Sequence, residues 1–239
     1  MVKVNWFYIK MSVLLLLTVF LFAFAIQRNE ARTVAEVSVS FKDESAPFVT
    51  RETVNKLLIV SNEKLAGKAK ENIALSEMEK RVKAHPIIKN ADVYVTMGGD
   101  IGVAIEQRKP IARLGGAISF YIDESGEVMP LSQNHSAHVP LVTGATEKDV
   151  SEVYRLVNFI KNDKFLTKHI IGIARAKNGE YTLKARKLGY TISLGKVEAL
   201  EKRFSNYKAF YEKALKDKSL DKYKTIELKY DGQVVCEKK

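Results

Sequence analysis

The sequence predicts an α+β chain: one N-terminal apolar helix of membrane-spanning length, a small β-α-α-β-β module, and a mainly β domain with two helices. Three observations carry this. Residues 11–26, MSVLLLLTVFLFAFAI, hold no charge, and with Trp6 to Ile9 in front they reach the ~20 residues that a bilayer-spanning helix needs. Between Val34 and Gln107 the apolar period runs from two to about 3.6 and back to two. Beyond Pro110 the period of two dominates, broken by two helical patterns.

The elements follow in chain order. Lys10 lies near one end of the apolar run, close enough to reach the headgroups, and Trp6 and Tyr8 suit a membrane interface. Two readings of the run stand. Ala23-Phe24-Ala25 is the small-x-small pattern of a signal-peptidase site; the favoured reading is an uncleaved anchor at 11–26 behind a short tail, 1–10. Lys3 and Lys10 precede it and Arg28 and Arg32 follow, so flanking charge does not choose an orientation. A short N-terminal tail with everything else exported is the simpler arrangement.

The first module occupies 33–109. Val37, Val39 and Phe41 alternate as a half-buried strand, Thr50 is placed as an N-cap, and Val54, Leu57 and Leu58 follow at helical spacing. The polar run SNEKLAGKAK connects to a second helix, with Ser76 and Glu79 read as a capping box and an end at His85 imposed by Pro86. Val93 and Val95, then Ile101, Val103 and Ile105, form two strands around Gly98-Gly99.

The second domain is 110–236. SFYIDESGEVMPL reads as a hairpin around Asp123–Gly126, VPLVTG as a short strand, and 147–162 as a helix with Val150, Val153, Tyr154, Val157 and Ile160 inward. Strands at 170–176, 181–185 and 190–194 precede a long helix over 196–217. Its repeat of Val197, Leu200, Phe204, Tyr207, Tyr211 and Ala214 suits a helix lying on its own sheet, or a seam for a partner helix. TIELKYDGQVV closes the chain as a strand, with Ile226, Leu228 and Tyr230 alternating. A last strand is often an edge that can accept another chain, or one that a loop covers.

Composition and motifs argue against chemistry. The net charge is +11, of which residues 33–239 carry +8, but no Arg-rich helix or base-stacking motif suggests nucleic acid. No GxSxG, Walker A, Rossmann or HExxH pattern occurs. His135 and His138 sit three apart in a loop without further ligands, so no metal is expected. His85 reads as a cation at a helix end, and His169 flanks a strand without a visible partner. Asp123-Glu124 belongs to a turn rather than to a carboxylate pair. Cys236 is the one cysteine, a free thiol. The reading is a non-enzymatic protein with no catalytic residue, cofactor or small-molecule substrate.

HPIIKNADVYV, IEQRKPIARL, FYIDESGEVMPL, ISLGK before a charged helix, and the closing IELKYDGQVV resemble, in order and spacing, the bacterial cell-division family FtsQ, called DivIB in Gram-positive bacteria. The resemblance covers nearly all of the chain after the anchor. It implies that the first module is a POTRA domain and the second the family's β domain. It implies a bitopic inner-membrane protein with a cytoplasmic N-terminus and a periplasmic bulk, enriched at the division septum. Its partners would be two small coiled-coil membrane proteins of FtsB and FtsL type, and it would help regulate septal cell-wall synthesis. Carried over, partner contact falls on Thr225, Ile226, Glu227, Leu228, Lys229, Tyr230, Asp231, Gly232, Gln233, Val234 and Val235, with Tyr230 as aromatic anchor and Lys196 as a further basic position. The competing expectation is a POTRA-bearing protein of outer-membrane assembly or secretion.

Overall fold

The computed structural model describes residues 6–30, 37–43, 46–58, 74–96, 98–116 and 119–239. The tail at 1–5, the start of the first strand at 34–36 and the polar run at 61–70 lie outside the described residues. Helix α1, Trp6–Glu30, contains an apolar stretch Trp6–Gln27 of 22 residues with mean hydropathy 2.5 and nothing buried. At ~1.5 Å per residue that stretch is about 33 Å long, enough for the ~30 Å hydrocarbon core of a bilayer. The helix is apolar on all sides, as a lipid-facing helix is.

The chain divides into two units, one comprising 1–45, which includes α1, and 49–107, the other 46–48 and 108–239. The first contains β1 (Val37–Phe41), α2 (Arg51–Leu58), α3 (Leu75–Lys83), β2 (Ile88–Val95) and β3 (Ile101–Gln107). Its three-stranded sheet has the order β1-β3-β2, with β1 parallel and β2 antiparallel to the central β3. Ile101, Val103 and Ile105 are fully buried, and Val54, Leu58, Met78 and Val82 of the helices join the same core. Gln107 closes the unit by accepting the Val49 N–H at 2.9 Å inside it.

Thr50 caps α2 as its position suggests, its hydroxyl accepting the Thr53 N–H at 3.2 Å. The capping box at Ser76 does not form. Helix α3 begins at Leu75, with Ala74 as its N-cap and no side-chain cap. Leu75, Met78 and Val82 share one apolar face, which starts the helix two residues early and leaves Ser76 inside its first turn. Glu79 pairs instead with Lys83 at 2.7 Å. His85 is also corrected: its Nδ1 accepts the Ile87 N–H at 3.3 Å, and partial burial holds its pKa below the ordinary value, so it stands as a neutral acceptor.

The second unit is built on a nine-stranded mixed sheet. Its strands are β4 (Pro110–Gly115), β5 (Phe120–Asp123), β6 (Val128–Pro130), β7 (Leu141–Thr143), β8 (Ile170–Arg175), β9 (Tyr181–Ala185), β10 (Thr191–Gly195), β11 (Tyr223–Glu227) and β12 (Val235–Lys238). The spatial order is β12-β11-β10-β9-β8-β7-β4-β5-β6. Register aligns Leu114, Val142, Ile173, Leu183, Ile192, Ile226 and Cys236 in one row across seven strands. All are buried except Cys236, the last, which is half-buried. Helices α4 (Val150–Asn162), α5 (Lys164–His169) and α6 (Leu200–Lys216) contribute to the same core as this row.

Four side chains of α4, Val153, Leu156, Val157 and Ile160, are buried, each contributing ~2 kcal/mol to docking the helix. Helix α5 is an addition to the two helices expected. Asp163 caps it, its carboxylate accepting the Phe165 and Leu166 N–H groups at 2.9 and 3.0 Å. The long helix starts at Leu200 rather than at Lys196, because Gly195 and Ala199 take positive φ and turn the chain before the helix. Phe204, Tyr207 and Ala214 bury that helix in its own domain's core, the first of the two readings of its apolar repeat. Asp123–Gly126 is a turn, as expected. The buried Asp123 carboxylate accepts the Ser125 and Glu127 N–H groups and meets Arg108 at 2.7 Å.

His169 does have a partner. It is buried, stacked on Phe165 at 4.7 Å, and its Nε2 lies 2.5 Å from the Tyr207 hydroxyl. The Tyr207 hydroxyl in turn lies 2.9 Å from that of Tyr190. Burial holds the imidazole pKa below its ordinary value and pushes the Tyr190 hydroxyl up to about 12.

Candidate partner-binding site at the C-terminal sheet edge

The eleven consecutive residues marked by sequence do not form one strand. Thr225, Ile226 and Glu227 lie in β11, Leu228 to Val234 form a connection, and Val235 opens β12. The chain folds back because Asp231-Gly232 makes a turn, with Gly232 at φ +70°. β11 is therefore an inner strand, parallel to β10 on one side and antiparallel to β12 on the other. The edge of the sheet is β12. This corrects the expectation of a single terminal strand over 225–235.

Backbone direction on the edge follows from one hydrogen bond. The Leu228 N–H donates to the Ser193 carbonyl of β10 at 2.8 Å. N–H and C=O of one residue point the same way, and successive residues alternate. Ile226 therefore also faces β10, while Thr225 and Glu227 face β12. Their register partners are Glu237 and Val235. Cys236 and Lys238 are left to direct their N–H and C=O groups outward, away from β11.

Side chains alternate in the same way. Cys236 points with Ile226 into the core and ends the buried row at the open edge. Burial raises its thiol pKa, so it stays a neutral, weakly reactive group. Glu237 lies on the other face, 2.8 Å from Lys224, which lowers its carboxyl pKa.

Tyr230 leaves the alternation. Ile226 and Leu228 are buried, but the Tyr230 ring is 43% exposed in the connection. Lys229 Nζ stands 5.4 Å from the centre of that ring and 3.4 Å from the Glu227 carboxylate. The field of Glu227, then that of Tyr230, raises the Lys229 pKa. Asp231 is held by Lys202 at 2.6 Å. Lys196 is brought to the same corner. A Cβ on Gly195 would fall 3.1 Å from Lys229 Cβ, so the two backbones touch beside it. The Arg203 guanidinium locks the corner by donating to Leu194 O at 2.9 Å and Lys196 O at 2.7 Å. Lys196, Lys229 and Tyr230 are all exposed around this corner, while Gln233 is exposed farther along the connection and Val235 at the start of β12.

Sequence reading missed Cys236, Glu237 and Lys238 as the edge. The Asp-Gly dipeptide between two alternating runs was the available signal. Among the described residues, no group of three or more His, Cys, Asp or Glu side chains stands in metal-binding geometry. The site offers backbone hydrogen bonds, an aromatic ring and cations.

Comparison with known proteins agrees with this architecture. Residues 33–106 match a family model described as a POTRA-like domain. Residues 109–237, more than half of the chain, match one described as FtsQ/DivIB, C-terminal related. A relative is the cell division protein FtsQ of Salinibacter ruber (strain DSM 13855 / M31), 24% identical over 220 residues, which span 85% of this chain and 82% of the relative. The chain belongs to the FtsQ/DivIB C-terminal related family, carries a POTRA-like domain ahead of that region, and has the role in cell division which that membership implies.

Proposed function

We propose that this protein is a non-enzymatic, single-pass inner-membrane scaffold of the division machinery. Residues 1–10 form a short cytoplasmic tail and 11–26 the retained anchor. The POTRA-like domain, 33–109, and the β domain, 110–236, project into the periplasm, and the protein concentrates at the septum. The β domain captures small coiled-coil division proteins of FtsB and FtsL type, and through them helps regulate septal cell-wall synthesis. Family membership supports the division role, since FtsQ proteins are generally non-enzymatic. The apolar α1 is consistent with the anchor.

The observation that carries the docking reading is the edge of β12. Backbone groups of Cys236 and Lys238 face outward there, and the buried row of the sheet ends half-covered at Cys236. An added strand would satisfy the backbone and cover the row, which is the physics of β-augmentation. Tyr230 supplies the exposed aromatic of a hot spot beside it.

Imaging a fluorescent protein fused to Met1 in the native cell tests the role and the anchor together. A band at midcell is expected. Uniform membrane signal would remove the septal role, and a tag released from the rest would replace the anchor with a cleaved leader.

A further inference from the structure

We propose that the second unit carries a separate docking pocket, for an acidic peptide segment with one apolar side chain, where β4, β7 and β8 begin. A cavity of about 450 Å³ opens there, within the ~300–1,000 Å³ usual for ligand pockets. Ile111, Val157, Ile160 and Ile170 form an apolar floor from β4, α4 and β8. Lys161 and Arg186 stand at the rim.

The rim is net positive. Lys161 pairs with Glu124 at 2.5 Å. Arg186 donates from Nε to the Lys168 carbonyl at 3.1 Å, and among the described residues no carboxylate pairs with its guanidinium. An apolar floor under an uncompensated guanidinium suits a ligand that is apolar at one point and anionic beside it.

The remaining wall favours a peptide as the occupant. His138 and Val139 run into Pro140, whose carbonyl accepts the Arg113 N–H at 3.0 Å. Among the described residues, no hydrogen bond joins the backbone of His138 or Val139 to another group of the protein. An extended chain beside this wall can pair with those groups, which a hydrocarbon tail cannot. From β8 to β12 there are four strand steps, about 19 Å at ~4.8 Å each, so the pocket and the β12 edge can be occupied together.

The test uses the full chain in nanodiscs with its isoleucine methyl groups labelled for NMR. The probe is the acetylated, amidated pentapeptide AELEA, with AQLQA and laurate as comparisons. AELEA is expected to shift the Ile111, Ile160 and Ile170 methyls saturably while Ile226, near the β12 edge, stays still. AQLQA should bind more weakly by up to about fivefold, the most that one exposed ion pair carries, and Arg186→Gln should weaken AELEA by about the same factor. Arg186 is exposed, and an unchanged Ile226 signal verifies that the variant is folded. Three results would overturn the proposal: no saturable shift with millimolar AELEA, equal binding of AQLQA, or shifts by laurate where AELEA gives none. Movement of Ile226 alone would assign peptide binding to the sheet edge and remove the pocket.

Discussion

Replacing Lys238 by proline separates the docking edge from the fold that supports it. The Lys238 N–H points outward, so proline there removes no bond to β11. The extended backbone accommodates its fixed φ, and edge strands tolerate proline. An incoming strand loses one hydrogen bond outright and meets the pyrrolidine ring at the neighbouring one. At ~1 kcal/mol net per bond the loss is about 2 kcal/mol, or roughly 30-fold in Kd. Glu237→Pro is the matched control. Residue 237 faces Thr225 in the β11–β12 ladder and pairs with Lys224, so proline there breaks the edge itself. The assay titrates the full chain in detergent with the soluble parts of an FtsB/FtsL-type pair, while hydrogen exchange follows β11 and β12. Lys238→Pro should lose affinity with exchange protection of β11 kept, and Glu237→Pro should lose both. If Lys238→Pro binds as the wild type does while β12 remains paired, the partner does not add to this edge and the reasoning fails.

Other consequences follow from single residues. Tyr230→Ala should weaken partner capture by about tenfold with unchanged Tm, because the exposed ring contributes nothing to the core; an unchanged affinity would remove it as anchor. His169 has a pKa below its unfolded value of 6.5. The unfolded chain therefore takes up the proton first, so the stability present above pH 6.5 is lost as the pH falls below it. Tm should drop from pH 7.5 to 5.5, and His169→Phe should flatten that slope at the cost of the Tyr207 hydrogen bond; an unaltered slope would assign the effect elsewhere, His85 first. The Tyr94 ring covers Gly102, its register partner, so closely that a Cβ there would fall 2.5 Å from the ring. Gly102→Ala should cost about 1 kcal/mol in the wild type, through the clash with the ring, and stabilise by about 0.5 kcal/mol in a Tyr94→Ala background. Additive effects in urea melts would refute that coupling.

The parts legible in the sequence are those fixed by local period. Ile101, Val103 and Ile105 alternate, and all three are buried in β3. The helix expected over 147–162, α-helical from Val150 to Asn162 after one 3-10 turn at Glu147–Asp149, and the turn at Asp123–Gly126 likewise follow from residues within one turn of one another. What escaped depends on contacts across the sheet. The start of α6 is set by Gly195, whose close approach to Lys229 no helical period reveals. His169 finds Tyr207 across 38 positions of sequence. The single strand expected over 225–235 splits into β11, a connection and the start of β12, which sequence hides because alternation through Ile226, Leu228 and Tyr230 continues smoothly into the turn. Burial tells them apart: Leu228 still packs on the core, while Tyr230 is already at the surface.

The charge of the edge carries a last consequence. An open strand edge is also a hazard, because a second copy of the chain offers the same unpaired groups. β12 ends in Lys238 and runs on to Lys239, whose N–H bonds the Lys222 carbonyl, with Lys224 close by on β11. A second copy brings the same predominantly basic groups, Lys224, Lys238 and Lys239 against the one carboxylate of Glu237, so two such edges repel through their net charge, whereas an acidic strand would meet favourable partners. Salt separates the two. The screening length falls from about 10 Å at 0.1 M to about 3 Å at 1 M. Raising salt should therefore strengthen self-association of the full chain in detergent, followed by sedimentation velocity, and weaken capture of an acidic partner strand. Opposite slopes are expected because the same lysines act on both equilibria. Slopes of the same sign would mean that the lysines around β12 do not govern pairing at this edge, and that its four-residue length alone protects it.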